Sequence, residues 1–340
     1  MLTIQGLRNK PFPKTSDPTA LAAYRRERHK KIIALATEVI TATLKDPKQQ
    51  KVFDEAAMQL MEARLNLALQ GDEEARGQLY ENAAAFYERD AESEAAVTSA
   101  IALTRYVHTN ARRYGKKEPR WLEELSRQAR LFATNFPKEE FQSVSLLYAA
   151  GRSCELHGLT KEAISCYELI SKLHPESDLP QAQHVPAFLR RLNLQGKPLQ
   201  LAGPTIDGGF ISVDDFKNKV VLVVFWSSEN ESFQKDVAAI HKITTKYKKF
   251  GLEVIGVNLD EEEPNVEAFL EKYPLTWKQI FYSDPAKRRW NTPVVKYYGV
   301  RELPMMWLVD HHGNVADTKV KADTLEKQVR ELLLALREKK

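Results

Sequence analysis

The pattern of apolar residues changes once along this chain, near residue 198, and that change constrains the fold more than any other feature. From about Thr19 to Asn193, apolar residues recur every three or four positions in stretches such as LATEVITATL, which is typical of amphipathic helices. Beyond this point, short apolar runs alternate with helical segments. Since 340 residues also exceed what one core normally holds, we predict two domains. An arm over 1–18 precedes an all-α helical domain over 19–196, and an α/β domain follows over 199–340.

Proline and glycine residues divide the first domain into helices. They lie at Asp46-Pro47, Gly71, Gly115 to Pro119, Pro137, Gly158 and Pro175.

One helical pair, over 144–175, resembles a tetratricopeptide repeat (TPR). In that resemblance, small Gly151 and Ala163 let two antiparallel helices approach, Gly158 makes the turn, and Tyr167 fills the space beside them. Because about three repeats are needed to bury a shared core, we expect a TPR-like bundle or short solenoid rather than a proven array. Two interpretations stay open: a concave surface for another protein, or a domain that packs against its neighbour.

The second domain begins with a hairpin signal at Asp207-Gly208-Gly209. Val220 to Trp226 is continuously apolar, as a central strand buried on both faces requires. The pattern predicts helices over 232–250, 264–273 and 324–336, further strands over 252–258 and 277–282, an irregular segment to Val300, and a hairpin over 305–320. This order predicts an α/β sheet domain.

Three stretches of this domain, KNKVVLVVFWSS, GLEVIGVNLD and YGVRELPMMWLVDHHGNV, resemble the TlpA-like (AhpC-TSA, redoxin) branch of the thioredoxin superfamily over about residues 199–338. In that family, a strand ending Phe-Trp leads to Trp-Cys-Gly-Pro-Cys at the start of a helix. An ungapped alignment puts Glu229 on the tryptophan, Asn230 on the first cysteine, Glu231 and Ser232 on the Gly-Pro pair, and Phe233 on the second cysteine. Disulfide exchange needs a thiolate and a resolving thiol, so the resemblance implies a degenerate site without catalytic residues.

No other placement of the motif restores the chemistry, because no cysteine follows Cys166. The same count excludes the peroxiredoxin version of the site.

The other side of the family's site is retained at Leu303-Pro304, where the resemblance implies a cis-proline whose preceding backbone pairs with an extended substrate segment. The implied peptide groove is lined by Trp226, Ser228, Glu229, Asn230, Leu303 and Pro304. Alternatively, Pro304 persists only because the fold needs it.

The remaining polar motifs do not predict a cofactor or a metal site. We expect the acidic runs at Asp260 to Glu263 and Asp214-Asp215 to be exposed loops, and His311-His312 to lie in a turn, where adjacent side chains rarely share one metal. No Gly-rich phosphate loop or nucleophile elbow occurs.

Charge and hydropathy also exclude several classes of protein. The formal charge of +4 is spread over many residues of both signs, and the basic clusters Arg25 to Lys31 and Arg112 to Lys117 lie in helical stretches without interleaved aromatics. We therefore expect solvated helix faces and no nucleic-acid partner. No apolar run approaches the roughly 20 residues of a membrane span.

Two functions stay open. The first is a redox-inactive protein-interaction or scaffold module that binds a protein or peptide partner. The second is an atypical thiol-disulfide oxidoreductase in which Cys154 and Cys166 do the chemistry. The family resemblance implies the bacterial envelope or periplasm if a leader was removed, and otherwise the cytoplasm is expected.

The two cysteines are predicted to be separate, buried thiols. In the repeat interpretation they are offset by roughly 4.5 Å along the helices, across an interhelical distance of about 8–10 Å. A disulfide needs Cα atoms about 4.4–6.8 Å apart.

Overall fold

The computed structural model describes residues 2–11, 13 and 16–337. The chain divides into two compact units, Met1–Val185 and Pro186–Lys340. We call them the helical unit and the α/β unit.

The described part of the helical unit is built from α-helices joined by short turns, which confirms the predicted all-helical fold. The helices are α1 (Leu2–Asn9), α2 (Pro18–Thr43), α3 (Gln50–Leu69), α4 (Glu73–Arg89), α5 (Glu94–Tyr114), α6 (Arg120–Asn135), α7 (Glu140–Leu156) and α8 (Thr160–Leu173), with α9 (Pro180–Leu192) spanning the division between the units. Every predicted break lies between two of these helices. Side-chain caps fix where several begin: Asp72 accepts a hydrogen bond from the Ala75 amide at 3.0 Å, and Ser93 accepts one from the Ala96 amide at 3.2 Å.

The amino-terminal arm and the basic clusters differ in detail from the expectations. The segment expected as an arm contains α1, whose Ile4 side chain is buried. The first basic cluster lies on α2, whereas the second runs past the end of α5 at Tyr114 into the following turn.

Helices α7 and α8 pack closely at the residues singled out by the repeat spacing. Gly158 adopts φ +82° in the turn between them, a left-handed conformation that favours glycine. A Cβ atom on Gly151 would lie 2.7 Å from the Tyr167 ring, and Ala163 is fully buried. The absence of side chains larger than methyl at 151 and 163 therefore permits this close approach.

The α/β unit contains a mixed five-stranded sheet with the order β5-β4-β3-β6-β7. Its strands are β3 (Val220–Trp226), β4 (Leu252–Asn258), β5 (Lys278–Ile280), β6 (Met305–Val309) and β7 (Val315–Asp317), and a separate antiparallel pair is formed by β1 (Ala202–Pro204) and β2 (Phe210–Ser212). Strand β3 pairs in parallel with β4 and antiparallel with β6. Every residue of β3 is buried, which confirms that it is the central strand.

Helices flank this sheet: α10 (Glu231–Lys248), α11 (Glu263–Lys272), α12 (Pro293–Tyr298) and α13 (Ala322–Arg337). Alternate residues of β3 enter two different cores. Val221, Val223 and Phe225 belong to one. The others pack with apolar residues of α10 and α13.

The prediction of an irregular segment before Val300 is wrong for residues 293–298, which form α12. Pro293 starts the helix with its fixed φ, and Gly299 ends it in the left-handed conformation at φ +60°. A proline at the start and a glycine just past the end are a helix signature, but six residues are too few for apolar periodicity to show.

The division between the units lies inside α9, whereas the sequence places it at 196–199. The second half of α9 packs on the end of α12: the Arg191 guanidinium donates to the carbonyls of Tyr298 and Gly299 at 3.2 and 3.3 Å. Phe188 is also buried, next to Gly299. These contacts attach residues 186–192 to the α/β unit.

Candidate functional site

Asn230, at the position of the first family cysteine, links the start of α10 to the Leu303-Pro304 turn. It is the N-cap residue of α10, and its Oδ1 accepts a hydrogen bond from the Phe233 amide at 2.9 Å. Its Nδ2 donates to the Leu303 carbonyl oxygen at 3.0 Å. The Leu303–Pro304 peptide bond is cis, the geometry that the resemblance implies. Both polar atoms of the Asn230 side chain are therefore engaged, one in capping α10 and the other in joining the start of α10 to the Leu303-Pro304 turn.

Phe233, at the position of the second cysteine, belongs to the core. Its side chain is fully buried, and its ring centroid lies 4.9 Å from that of Trp226 and 5.8 Å from that of Phe269. Aromatic pairs at such distances add to the stabilisation given by burial. This position is occupied by packing and presents no reactive atom.

Trp226 does not line a groove, so its assignment to the peptide site is wrong. Its side chain is fully buried beneath Phe233, and the indole N–H donates to Gln279 Oε1 at 2.9 Å. The glutamine amide occupies the space where a side chain on Gly256 would lie. Because successive strand residues point to opposite faces, Trp226 follows Val224 into the core beneath α10, away from the exposed loop.

Asp260 organises the loop after β3, which corrects the expectation that its whole acidic run is exposed. Glu261 and Glu262 are exposed, but Asp260 is buried. Its carboxylate accepts hydrogen bonds from the Ser228 amide at 2.9 Å, from the Ser228 hydroxyl at 3.0 Å and from Asn258 Nδ2 at 2.7 Å. A signal for this role existed in the sequence, since Asp260 follows β4 and the carboxyl ends of adjacent parallel strands meet at one edge of a sheet.

The accessible remainder of the predicted groove is small. Ser228, Asn230, Leu303 and Pro304 are half-buried, and Glu229 is exposed. The structure brings Asn230 together with Leu303 and holds Ser228 on Asp260. This surface presents main-chain polar groups, with the Glu229 carboxylate at its edge, but no thiol.

The thiols of the chain lie in the helical unit and are poorly suited to exchange chemistry. Cys154 and Cys166 are free and fully buried, which confirms the prediction that they form no disulfide. Burial raises the pKa of Cys154 to about 12 and that of Cys166 to about 11. Since the thiolate is the reactive form, both groups are protonated near neutral pH.

Among the described residues, no group of three or more His, Cys, Asp or Glu side chains is arranged to hold a metal ion. In the same part of the chain, no helix has both the length and the apolar character needed to cross a bilayer. Asp214 and Asp215 lie in an exposed 3-10 turn after β2, and His311 and His312 lie in the turn between β6 and β7.

Comparison with known proteins gives matches to a thioredoxin-like family model and to thiol-disulfide oxidoreductases. Residues 218–315 match a family model described as thioredoxin-like. The chain is 29% identical over 128 residues to thiol-disulfide oxidoreductase ResA of Bacillus thuringiensis subsp. konkukian, covering 38% of this chain and 69% of that protein. It is 28% identical over 123 residues to the protein of the same name from Geobacillus thermodenitrificans, covering 36% and 66%. Among solved structures, the thioredoxin domain of a thiol-disulfide oxidoreductase from Bacteroides vulgatus is 24% identical, covers 41% of this chain and 97% of that one, and has a TM-score of 0.37.

Proposed function

From the premise that the α/β unit is a thioredoxin-like domain related to thiol-disulfide oxidoreductases, we propose that the chain is a redox-inactive protein-interaction module. In this proposal the helical unit holds a partner polypeptide, and the degenerate thioredoxin groove is a second, weaker contact. The observation that carries it is the pair of hydrogen bonds by which Asn230 ties α10 to Leu303.

These bonds support the loss of chemistry because they give a non-nucleophilic residue a structural role at the reacting position. An amide nitrogen has no lone pair available for attack on a disulfide, and Phe233 offers only a buried ring. Disulfide exchange needs two thiols in sequence, one to attack and one to resolve the mixed disulfide. The site therefore supplies neither step.

The same bonds limit how tightly the groove could hold a peptide. The Leu303 carbonyl, which the family resemblance assigns to substrate main chain, already accepts a hydrogen bond from Asn230. Displacing a hydrogen bond of this kind costs about 1 kcal/mol, which weakens an incoming peptide by roughly fivefold. We therefore expect the main partner site elsewhere.

We assign the partner to a groove of about 280 Å³ between α4, α5 and α6 of the helical unit. Aromatic side chains form its apolar lining, with Leu131 about 40% exposed and with Glu88 and Arg127 also in its wall. The aromatic lining residues are Tyr80, Tyr87, Phe132 and Phe136. An apolar floor with polar groups at its edge is the usual construction of a binding site. It supports the TPR-like interpretation, in which a concave helical surface receives a polypeptide.

The alternative, an oxidoreductase that uses Cys154 and Cys166, is disfavoured by the state of these thiols. Both are inaccessible to a protein disulfide, and burial raises the pKa of each well above neutral pH. Catalytic cysteines show the opposite, with exposure and a lowered pKa.

Selection of displayed random dodecapeptides against the full chain tests the interaction proposal. We expect enriched peptides whose synthetic forms bind with micromolar affinity in fluorescence anisotropy, and at least tenfold weaker binding to a Leu131→Asp variant. Met58→Asp is the matched control, since both residues lie within long helices and are 40% exposed. Enriched peptides that bind Leu131→Asp and the parent chain equally would contradict a partner site in this groove.

A further inference from the structure

A second apolar pocket lies in the α/β unit, at the end of the sheet domain far from Asn230. It has a volume of about 180 Å³ and is lined by residues at the end of α10 and on α13, namely Tyr247, Phe250, Arg330, Leu333 and Leu334. Tyr247 and Leu333 are buried, while Phe250 and Leu334 are 39% and 52% exposed. Because α10 has 18 residues, the pocket lies about 27 Å along the helix from Asn230. It is separate from the degenerate site.

The rim of this pocket is strongly basic. Lys246, Lys248 and Lys249 line the surface that continues from Phe250, and Arg330 lies in the pocket wall itself. The Lys246 ammonium is paired with Glu326 at 2.7 Å. Within the described residues, the other three cations have no ion pair.

Helix stability accounts for only part of this charge. Cations in the last turn of α10 complement the partial negative charge of the helix end, which explains Lys246 and Lys248. It does not explain the two apolar side chains left exposed between these cations. Arg330 lies on another helix, where its charge acts on Glu326 four residues earlier. The rim also holds Glu326, which pairs with Lys246 and accepts a hydrogen bond from the Tyr247 hydroxyl at 3.0 Å, so the excess positive charge comes from Lys248, Lys249 and Arg330. Exposed apolar groups rimmed by an excess of one sign of charge are typical of interaction sites.

We propose that this pocket binds an acidic peptide segment of a partner protein, with one aromatic or large aliphatic side chain of the segment inserted between Phe250 and Leu334. An apolar cavity of about 150 Å³ is large enough for benzene, so the pocket holds a single such side chain. Carboxylates on either side of it would pair with Lys248, Lys249 and Arg330. The concave shape favours a peptide over an anionic membrane, since a flat bilayer surface would leave the buried floor at Tyr247 and Leu333 unfilled.

Fluorescence anisotropy with the full chain tests this site. The probes are labelled nonapeptides with a central Phe, Leu or Trp between runs of Glu and Asp, compared with the same peptides carrying a central Ala and with peptides in which Lys replaces the acidic residues. We expect the acidic peptides with an apolar centre to bind. A central Ala, or Lys in place of the acidic residues, should each weaken binding at least tenfold. An increase from 50 to 200 mM NaCl should weaken binding about threefold.

Variants of the chain separate the two contributions. Phe250→Asp and Lys248→Glu/Lys249→Glu should each weaken binding at least tenfold. Leu334→Trp, which fills the pocket without adding charge, should do the same while leaving the fold intact by circular dichroism. Phe210→Asp is the matched control, because Phe210 is an exposed phenylalanine of the same unit on the β1–β2 hairpin.

Equal binding by the parent chain and Leu334→Trp, or an equal loss in Phe210→Asp, would overturn the proposal. It would also be overturned if the acidic peptides fail to bind, including the case in which the chain instead sediments with vesicles containing phosphatidylserine. None of these results depends on whether the chain is redox-inactive.

Discussion

Replacing Asn230 tests its two structural roles separately. Asn230→Ala removes the N-cap of α10, which costs about 1 kcal/mol, and the hydrogen bond to Leu303, which costs about 1 kcal/mol more. Asn230→Ser keeps a good N-cap, but its short side chain cannot also reach the Leu303 carbonyl. We therefore expect the free energy of unfolding of the α/β unit to fall by about 2 kcal/mol in the alanine variant and by about 1 kcal/mol in the serine variant.

Urea unfolding followed by tryptophan fluorescence measures these values in a Trp121→Phe background. The other tryptophans, at 226, 277, 290 and 307, lie in the α/β unit, so the signal then reports that unit alone. The slope of the free energy of unfolding against urea concentration (the m value) should be the same in all variants, so the differences appear as shifts of the urea midpoint. A serine variant as unstable as the alanine variant would show that the N-cap and the hydrogen bond to Leu303 are not separate contributions. If both variants lie within about 0.3 kcal/mol of the parent chain, Asn230 has neither role.

Three further predictions concern the thiols, the Asp260 network and the aromatic core. Burial raises the pKa of Cys154 to about 12 and of Cys166 to about 11, so the folded chain keeps thiol protons that the unfolded chain begins to lose near pH 8.5. Their contribution to the free energy of unfolding is complete below that pH, and above it falls by up to about 1.4 kcal/mol per pH unit for each thiol. In urea titrations at a series of pH values, the free energy of unfolding of the Cys154→Ala/Cys166→Ala variant should therefore fall less steeply with pH than that of the parent chain. Asp260→Asn should destabilise the α/β unit by about 1–3 kcal/mol, because the NH2 group of the new asparagine would face the hydrogen-bond donors that now bond to the carboxylate. Hydrogen exchange at the Ser228 amide should accelerate in this variant, and an unchanged exchange rate would count against the network. Phe233→Ala should cost about 3–5 kcal/mol by leaving a cavity beside Trp226, and a loss below about 1 kcal/mol in the same urea assay would show that this ring is not part of the core.

The fold was largely predictable because its strongest signals are local. The apolar run Val220–Trp226 and the helix break at Gly71 depend on neighbouring residues, and the strand and the helix boundary that they predict are present. The break between α4 and α5, which Ser93 caps, was not predicted because no proline or glycine marks it. Helix α12 was not predicted because six residues give too little periodicity. The attachment of Phe188 and Arg191 to Gly299 depends on tertiary contacts that no sequence period reveals.

The candidate site was predictable in position but not in detail. The alignment located Asn230 and Leu303, yet the hydrogen bond between them joins residues 73 positions apart and follows only from the folded geometry. Trp226 was misassigned because the alignment gives a residue's place in a motif and not the face of the strand on which it lies. The burial of Asp260 was not predicted because a run of acidic residues is usually exposed to solvent. As the first residue of that run, Asp260 lies at the end of a parallel strand and beneath the neighbouring loop at Ser228.

Insulin reduction by dithiothreitol, with and without the full chain, tests the claim of redox inactivity most directly. We expect the parent chain and the Cys154→Ala/Cys166→Ala variant both to leave the rate at that of dithiothreitol alone, because positions 230 and 233 carry no thiol and the two cysteines are buried. Acceleration by the parent chain at a rate comparable with an ordinary thioredoxin, abolished in the double alanine variant, would contradict it and establish the cysteines of the helical unit as catalytic.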